Sequence, residues 1–281
     1  MGSSVSVIIP CFNQAHFLSA AIESVVRQSH RNLEIIVVDD GSTDETAAVA
    51  AAYPQVKLIR QSNRGVAVAR NRGLRESVGE FLVFLDADDL LLQDALRVGL
   101  DSLAAHPSAA FVYGYGQFIN AASEPLRTPR QPRVRRNHYR QLLRRNYIWS
   151  VGAAMFRRAV VDGFRAGVDG CADWDLFLRI VRQHKIHCHG KIVFQYRRHD
   201  ANMSGNGELM AQATLDLFRS QLEEVRGNRK LERLCLRQIS QSETWLAGGR
   251  DSWGEALNRV TQMIRLRTRL RTLAGAVRRM T

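Results

Sequence analysis

The sequence predicts an α/β fold in which a mostly parallel sheet has helices on both faces and is followed by a C-terminal helical extension. Three observations lead to this expectation. Short apolar runs alternate with segments of helical periodicity through the first half of the chain. Acidic clusters directly follow two of these runs. A length of 281 residues, of which 45% are hydrophobic and 24% charged, is ordinary for a globular chain with a substantial core.

The first half of the chain contains predicted strands separated by helices. Continuous apolar runs place strands at residues 5–9, 33–38, 56–59 and 81–85. Apolar residues at helical spacing predict helices over residues 15–27 and 66–77. Ser42 and Glu45 have the spacing of a capping box ahead of an alanine-rich helix that runs through Ala52. Helical crossovers of this kind produce a buried parallel sheet, and ligands bind beyond the carboxyl ends of its strands.

The strand and helix alternation weakens after residue 107, which suggests a mixed second half of the same domain. A helical pattern spans residues 173–181, and strand-like runs lie at residues 111–118, 151–156 and 192–196. From Glu208 onward the pattern is helical. We therefore divide the chain into three parts, residues 1–107, 108–207 and 208–281, of which the last is the helical extension.

The formal charge of +13 predicts attraction to an anionic partner. A nucleotide, a phosphorylated glycan, a nucleic acid and a lipid surface all satisfy that expectation. A stretch without acids contributes much of the charge and is expected to be a long loop that contacts an anionic acceptor or headgroups, or is simply solvated. Its arginines are Arg127, Arg130, Arg133, Arg135, Arg136, Arg140, Arg144 and Arg145.

Cysteine spacing and hydropathy indicate a cytoplasmic protein, with peripheral association at the inner face of the membrane as an option. The four cysteines form no CxxC pair, so neither a disulfide framework nor a zinc site is expected. No segment approaches the roughly 20 apolar residues of a membrane span. A C-terminal helical stripe surrounded by arginines could lie on a membrane or pack on the domain. Its apolar residues are Val260, Met263, Leu266, Leu270, Leu273 and Val277.

Carboxylates concentrate after the second and fourth predicted strands. Asp86 and Asp88 leave an apolar strand for an exposed turn, and hard oxygen ligands in an open arrangement suit Mg²⁺ or Mn²⁺ shared with substrate phosphates. Alternatively, Asp88 or its neighbour caps a helix that begins near Leu90. Asp39 and Asp40 end the neighbouring strand, where one is expected to cap the turn and the other to bind ligand. The first strand lacks a following GxGxxG motif, which disfavours a dinucleotide site and leaves a nucleotide bound through metal and acidic groups.

Together these motifs resemble the family 2 glycosyltransferases, whose members share the GT-A fold. In order and spacing the resemblance covers roughly residues 5–200 of the sequence. Each motif alone is weak, whereas the combination is specific. The matching stretches are residues 5–13 (VSVIIPCFN), 37–44 (VVDDGSTD), 63–65 (NRG), 69–71 (ARN), 84–89 (FLDADD) and 173–175 (DWD).

The resemblance implies a donor site for a nucleotide diphosphate sugar, expected to be a UDP-sugar. Pro10 and Phe12 would line the base pocket, Asp40 would hydrogen-bond the pyrimidine, and Arg64 would lie beside the nucleotide. Asp86 would reach the ribose or a metal-bound water. Residues 1–107 would then form the nucleotide-sugar-binding half of the GT-A domain, and residues 108–207 the acceptor-binding half.

The resemblance also implies a metal site and a catalytic base. Asp88 would be the principal ligand of Mn²⁺ or Mg²⁺, helped by Asp86, and His199 is a further candidate ligand or a structural histidine. Asp173 would be the base of an inverting transfer to a glycan or glycolipid acceptor, a task that needs one carboxylate opposite the leaving group. Many relatives have glutamate where this chain has Ala172. Without the resemblance, a helix cap is the preferred interpretation of Asp173.

Two other functions remain open at this point. A family member that binds a nucleotide sugar without catalysis would be consistent with Ala172. A nucleic-acid-binding protein would be consistent with the arginine runs, but no recognised binding motif occurs and aromatic residues are not interleaved with the basic runs. We therefore expect an enzyme of cell-surface glycan or glycolipid synthesis, with nucleic acid the less favoured partner.

Overall fold

The computed structural model describes residues 3–128 and 130–248 and confirms the α/β class. The described residues form an eight-stranded sheet with helices packed on both sides. The strands are β1 (Val5–Cys11), β2 (Leu33–Asp39), β3 (Val56–Arg60), β4 (Phe81–Phe84), β5 (Leu90–Leu91), β6 (Ala109–Ile119), β7 (Ala154–Arg157) and β8 (Lys185–Arg197). The helices are α1 (Ala15–Val26), α2 (Thr46–Ala51), α3 (Val66–Glu76), α4 (Ala95–Ala105), α5 (His138–Leu142), α6 (Ala172–Gln183), α7 (Gly207–Glu224) and α8 (Arg229–Leu246).

The sheet is parallel in its first half and mixed in its second. Its strand order is β3-β2-β1-β4-β7-β6-β8-β5. The first four strands pair in parallel, as do β6 and β8. Strand β7 runs antiparallel to β4 and β6, and β5 runs antiparallel to β8. The carboxyl ends of β1, β2 and β4 therefore meet at one edge, as the sequence predicts.

Alternation along β1 explains why the sheet is covered on both faces. Val7 and Ile9 point into a core with α1 and α4, whereas Ile8 points into a second core with α3 and α6. All three side chains are fully buried. Burial of an aliphatic side chain of this size contributes about 1.5–3 kcal/mol to stability, so such strands are continuous apolar runs.

The start of α2 differs from the predicted capping box. Ser42 does not cap this helix; its hydroxyl accepts a hydrogen bond from the backbone N–H of Asn13 at 3.0 Å. Asp44 instead accepts from the backbone N–H of Thr46 at 3.1 Å and from that of Ala15 at 2.9 Å. The turn after β2 is thus tied to the loop after β1, a tertiary contact that overrides the local capping pattern.

The chain after β4 also departs from one expectation. Leu90 and Leu91 form β5 and pair with β8, so neither Asp88 nor Asp89 caps a helix there. The next helix, α4, begins at Ala95. The arginine-rich segment predicted to be a loop contains the short helix α5.

The described part of the extension consists of α7 and α8, which pack against each other. Among residues 3–128 and 130–248, no helix is both long and apolar enough to cross a membrane. The predicted C-terminal stripe from Val260 to Val277 lies outside the described residues.

Candidate active site

A large open cleft of about 1800 Å³ lies beyond the carboxyl ends of β1, β2 and β4. Its inner end is formed by the turns that follow these strands, and α6 and α8 form further walls. The predicted site residues that line it are Pro10, Phe12, Asp40, Asp86, Asp88 and Asp173. The sequence motifs thus converge on one concave surface.

The two aspartates after β2 have different roles. Asp39 is fully buried and holds the turn, accepting from the backbone N–H of Ser42 at 2.8 Å and from Nε of Arg60 at 3.1 Å. Asp40 lines the cleft. Of the two assignments that the sequence left open, the turn-capping residue is therefore Asp39.

Asp40 organises the loop of residues 61–65 at the edge of the cleft. Its Oδ1 accepts from Nε2 of Gln61 at 2.7 Å and from the backbone N–H of Arg64 at 3.0 Å, and its Oδ2 accepts from the N–H of Gly65 at 2.9 Å. The adjacent Gly41 has φ +81°, and a Cβ there would lie 2.7 Å from the backbone nitrogen of Asn63. Glycine is required because the two turns approach so closely.

The other predicted nucleotide contacts lie around this pocket. Phe12 is 46% exposed, which is unusual for so large an apolar side chain, and it stands at the cleft surface beside buried Pro10. The side chain of Arg64 is exposed, while its neighbours Asn63 and Gly65 line the cleft. An exposed aromatic face beside a cleft can stack on a planar ring.

Asp86 is held by an arginine that sequence reasoning did not single out. Nη2 of Arg70 donates to Oδ1 of Asp86 at 2.5 Å, and the Arg70 side chain is only 7% exposed. The guanidinium also lies 5.1 Å from the centre of the Phe164 ring. Arg70 belongs to the ARN motif at residues 69–71, which is the only signal in the sequence that could have identified it.

Asp88 contacts His199 and Asn202, which follow β8 in the chain. Its Oδ2 lies 3.0 Å from Nε2 of His199 and accepts from Nδ2 of Asn202 at 3.2 Å. Burial raises the pKa of Asp88, and the negative charge of Asp86 raises it further, while His199 acts in the opposite direction. The side chains of Asp88 and His199 are 13% and 10% exposed. The carboxylate therefore lacks full charge compensation.

A buried arginine fixes the backbone beneath these groups. The Arg197 side chain, which is 1% exposed, donates from Nε to the carbonyl of Asp88 at 2.7 Å and from Nη1 to the carbonyl of Asn120 at 3.1 Å. Its backbone N–H donates to Oδ1 of Asp89 at 2.8 Å. The Asp88 segment is thereby attached to the end of β8, which also leads to His199.

Asp173 lies at the start of α6, is half-buried and lines the cleft. It accepts from the backbone N–H of Trp174 at 2.7 Å. Burial raises the pKa of Asp173 to about 6, while the positive charge of Arg70 lowers it and the negative charge of Asp86 raises it. The charge of Asp86 therefore acts on Asp173. The following aspartate, Asp175, is fully buried and paired with Arg179 at 2.8 Å.

The donor set around Asp88 is chemically suited to a hard divalent cation. Carboxylate oxygen and imidazole nitrogen are common ligands of Mn²⁺, and the partly uncompensated charge of Asp88 would be relieved by a cation. Within the part of the chain that the structure describes, no three His, Cys, Asp or Glu side chains are grouped as a complete metal site. The observed contacts join His199 to Asp88 and Asp86 to Arg70. The remaining ligands would have to come from substrate phosphates and water.

The family model described as "Glycosyl transferase family 2" matches residues 6–164, more than half of the chain. The chain belongs to glycosyl transferase family 2. This confirms the resemblance inferred from the motifs. The matched segment runs from β1 past β7, so it includes the Asp40, Asp86 and Asp88 turns and ends before Asp173.

Curated relatives of the family 2 chain include proteins of very different length. An "Uncharacterized glycosyltransferase" of Rickettsia felis is 42% identical over 128 residues, which cover 42% of this chain and 21% of the relative. The "UDP-Glc:alpha-D-GlcNAc-diphosphoundecaprenol beta-1,3-glucosyltransferase WfgD" of Escherichia coli is 29% identical over 208 residues, covering 72% of this chain and 80% of the relative. The chain thus matches only about a fifth of the Rickettsia relative.

Solved structures share the fold of the family 2 chain. TarS of S. aureus in complex with UDP-GlcNAc superposes with a TM-score of 0.66 at 16% identity, covering 90% of this chain and 77% of TarS. The mannosyltransferase PcManGT of Pyrobaculum calidifontis, in complex with GDP-Man and Mn2+, gives 0.64 at 20% identity, covering 94% of this chain and 80% of the other. At these identities the likeness establishes the fold alone, which is the GT-A fold that the resemblance implied.

Proposed function

We propose that the chain is a metal-dependent inverting glycosyltransferase that moves a sugar from a UDP-sugar to an acceptor hydroxyl. The observation that supports this function best is the convergence of Asp86, Asp88 and Asp173 on one cleft. The effect of Asp86 on the pKa values of both Asp88 and Asp173 indicates that the three carboxylates share one electrostatic environment. A site for a cation and a site for a proton acceptor would thus face the same bound donor.

Asp173 is proposed to be the general base. Its carboxylate takes the proton of the acceptor hydroxyl as that oxygen bonds to the anomeric carbon, and the bond from that carbon to the diphosphate oxygen breaks with UDP as the leaving group. One in-line displacement inverts the configuration. A pKa near 6 suits a base at neutral pH, because the carboxylate is ionised yet more basic than an ordinary aspartate.

The donor side of the cleft is proposed to bind the nucleotide diphosphate. Phe12 and Pro10 would flank the base, and Arg64 would lie beside the nucleotide. Asp40 accepts three hydrogen bonds from residues 61–65. Because a carboxylate has about four lone-pair positions, one remains to accept from the N–H of a pyrimidine. Asp86 would approach the ribose while paired with Arg70. Residues 1–107 would thus be the donor half and residues 108–207 the acceptor half.

Asp88 and His199 are proposed to hold Mn²⁺ or Mg²⁺, with Asp86 as a weaker contributor. A divalent ion bound there would supply positive charge to the departing diphosphate. The chain's own residues fix the site for it: Asn202 orients Asp88, and Arg197 holds the Asp88 carbonyl. Water and donor phosphates would complete the coordination.

The names of relatives suggest an acceptor in glycan or glycolipid assembly. WfgD is named for glucose transfer from UDP-Glc to a diphosphoundecaprenol-linked GlcNAc, and a chondroitin synthase of Escherichia coli is 28% identical over 71% of this chain. We accordingly propose a role in cell-surface glycan or glycolipid synthesis at the cytoplasmic face of the membrane. PcManGT was solved with GDP-Man, so the choice of nucleobase must be tested directly.

A thermal-shift panel tests the donor assignment first. Purified protein is heated with UDP-, GDP-, CMP- and dTDP-sugars, each with and without Mn²⁺, since ligand-induced stabilisation follows affinity. The proposal expects the largest shift with a UDP-sugar plus Mn²⁺. Transfer of that sugar to acceptor candidates is then followed by NMR of the new anomeric proton. No shift with any nucleotide sugar would reject the function, and metal-dependent binding without transfer would indicate a non-catalytic member.

A further inference from the structure

The outer end of the cleft differs in charge from its inner end. The acidic side chains that line the cleft all lie at the inner end, at the strand ends and the start of α6. We call the part of the cleft that is lined by Arg144, Arg145 and Arg237 its outer end; these residues belong to the turn after α5 and to α8. The cleft is therefore acidic where a donor metal would sit and basic farther out.

These three arginines have no charge partner among residues 3–128 and 130–248. Each is exposed, and none of their guanidinium groups makes an ion pair or hydrogen bond within that part of the chain. Arg70, the other arginine of the cleft, is by contrast paired with Asp86. Three uncompensated guanidinium groups on facing elements can bind a multiply charged anion.

Hydrogen bonds join the elements that carry these arginines to each other and to the helix of the proposed base. Nε2 of Gln238 donates to the carbonyl of Arg144 at 2.6 Å, which attaches α8 next to Arg237 to the turn after α5. Nε1 of Trp174 donates to the carbonyl of Leu142 at 3.0 Å, which attaches the same turn to the residue after Asp173. The two elements that carry the arginines are thus attached to each other and to α6, the helix that carries Asp173.

Helix α8 contributes more than charge to this region. Arg237, Gln241 and Trp245 are four residues apart and share one helix face, which lines the cleft. The ring of Trp245 packs closely on the backbone of Gly207, so closely that a Cβ at position 207 would overlap the ring. Its buried indole N–H has no hydrogen-bond partner among the described residues. Trp149 also lines the cleft. Aromatic rings and amide groups of this kind commonly contact sugars.

We propose that this outer end is the acceptor subsite and that it recognises an acceptor bearing a phosphate or diphosphate group. The inference rests on the proposed glycosyl transfer and names the chemical class of its second substrate. Arg144, Arg145 and Arg237 bind the phosphate oxygens, while the sugar hydroxyl points toward Asp173. A diphosphate fits better than a carboxylate because a carboxylate satisfies one arginine fork, whereas three guanidinium groups match several charged oxygens.

The test uses binding of decyl diphosphate to the full chain saturated with UDP and Mg²⁺, so that the donor site is filled. We expect Arg144→Gln, Arg145→Gln and Arg237→Gln each to weaken binding about 10-fold, as expected for loss of a hydrogen bond between charged groups. The matched controls are Arg140→Gln, one turn before Arg144, and Arg233→Gln, one turn before Arg237. Both are exposed and lie outside the cleft lining, and less than a twofold change is expected.

Two further probes distinguish the source of the phosphate. Competition by inorganic pyrophosphate as effectively as by decyl diphosphate would support a phosphate group recognised without a lipid, and weaker competition would support a lipid-linked diphosphate. Decyl glucuronide binding as tightly as decyl diphosphate would overturn the proposal, as would equal effects of the cleft and control variants. UDP binding is measured for the same variants. Normal UDP binding together with either overturning result would reject the acceptor subsite alone, whereas absence of UDP binding would reject the donor assignment.

Discussion

Nη2 of Arg70 donates to Oδ1 of Asp86 at 2.5 Å while the charge of the same guanidinium lowers the pKa of Asp173. One largely buried side chain thus connects Asp86 with the proposed base. Removal of this charge should raise the pKa of Asp173 above its present value of about 6.

The first prediction concerns Arg70→Gln. The acidic limb of the pH profile of the transfer rate should move to higher pH, because a more basic Asp173 stays protonated, and therefore inactive as a base, up to a higher pH. A shift of one pH unit would reduce activity about 10-fold on that limb. Arg72→Gln on the same helix is the control, since Arg72 is exposed and pairs with Glu76. An unchanged pH profile in Arg70→Gln would show that the guanidinium does not act on the base.

A second prediction concerns Asp173 and catalysis. Asp173→Asn should reduce transfer about 10² to 10⁴-fold, the usual contribution of a general base. Affinity for UDP should remain within a few fold, because Asp173 belongs to α6, whereas the proposed base pocket is formed by the turns after β1 and β2. Calorimetric titration of UDP and a product assay measure the two quantities. Asp216→Asn, on α7, serves as the control, and wild-type turnover by Asp173→Asn would end the assignment.

The raised pKa of Asp173 has a definite sign for stability. Its folded pKa of about 6 lies above the ordinary value of 3.8, so the folded state favours the protonated form. The contribution of the protonated carboxyl group to the free energy of unfolding is fully present below pH 3.8 and is lost as the pH rises through 6. Asp173→Asn, which is neutral throughout, should therefore unfold at a higher temperature than the wild type above pH 6 and lose this advantage toward pH 4. Calorimetry across this range checks it, and a pH-independent difference would contradict it.

The Asp88→Asn variant tests the proposed cation site. Loss of a charged ligand should reduce the Mn²⁺-dependent gain in UDP affinity by about 100-fold, since even supporting residues of metal sites are worth 10 to 100-fold. Titration of UDP with Mn²⁺ and with EDTA measures this gain. Asp101→Asn, an exposed carboxylate on α4, should behave like the wild type. A full Mn²⁺ response in Asp88→Asn would place the cation elsewhere.

A final prediction compares the contributions of a buried and an exposed ion pair to stability. Arg179→Ala should reduce the free energy of unfolding by about 3–5 kcal/mol, because it removes a partner of the buried carboxylate of Asp175. Arg226→Ala removes a surface pair with Glu223 and should cost at most about 1 kcal/mol. Urea denaturation compares the two variants. Equal values would mean that Arg165, 3.4 Å from Asp175, compensates fully.

Local patterns were sufficient to predict the fold of the first half. Apolar runs specify β1 and β2 because both faces of these strands are buried, and the spacing after Asp173 specifies α6 because one side of that helix packs in the core. The motifs also placed Asp40, Asp86, Asp88 and Asp173 on one cleft. Which cation and nucleotide these residues bind stays a prediction.

What the sequence did not reveal depends on tertiary contacts. Arg70 lies on α3 and Asp86 follows β4, so their pairing depends on the packing of the folded chain and no local pattern specifies it. Arg197 is buried beneath Asp88 although arginine is usually exposed. The use of α8 as a cleft wall was likewise hidden, because a helical pattern shows which face is apolar and does not show what the more polar face, here that of Arg237 and Gln241, adjoins.

The placement of Arg197 connects the proposed cation site with the molecular surface. Its guanidinium joins the Asp88 carbonyl to Ser123 and to the carbonyls of Asn120 and Ala121 in an exposed turn. Sequence changes in that turn would therefore be transmitted to the position of the Asp88 backbone. If the proposed site binds a cation, sequence drift in that turn will tune its metal preference while the carboxylates themselves stay the same.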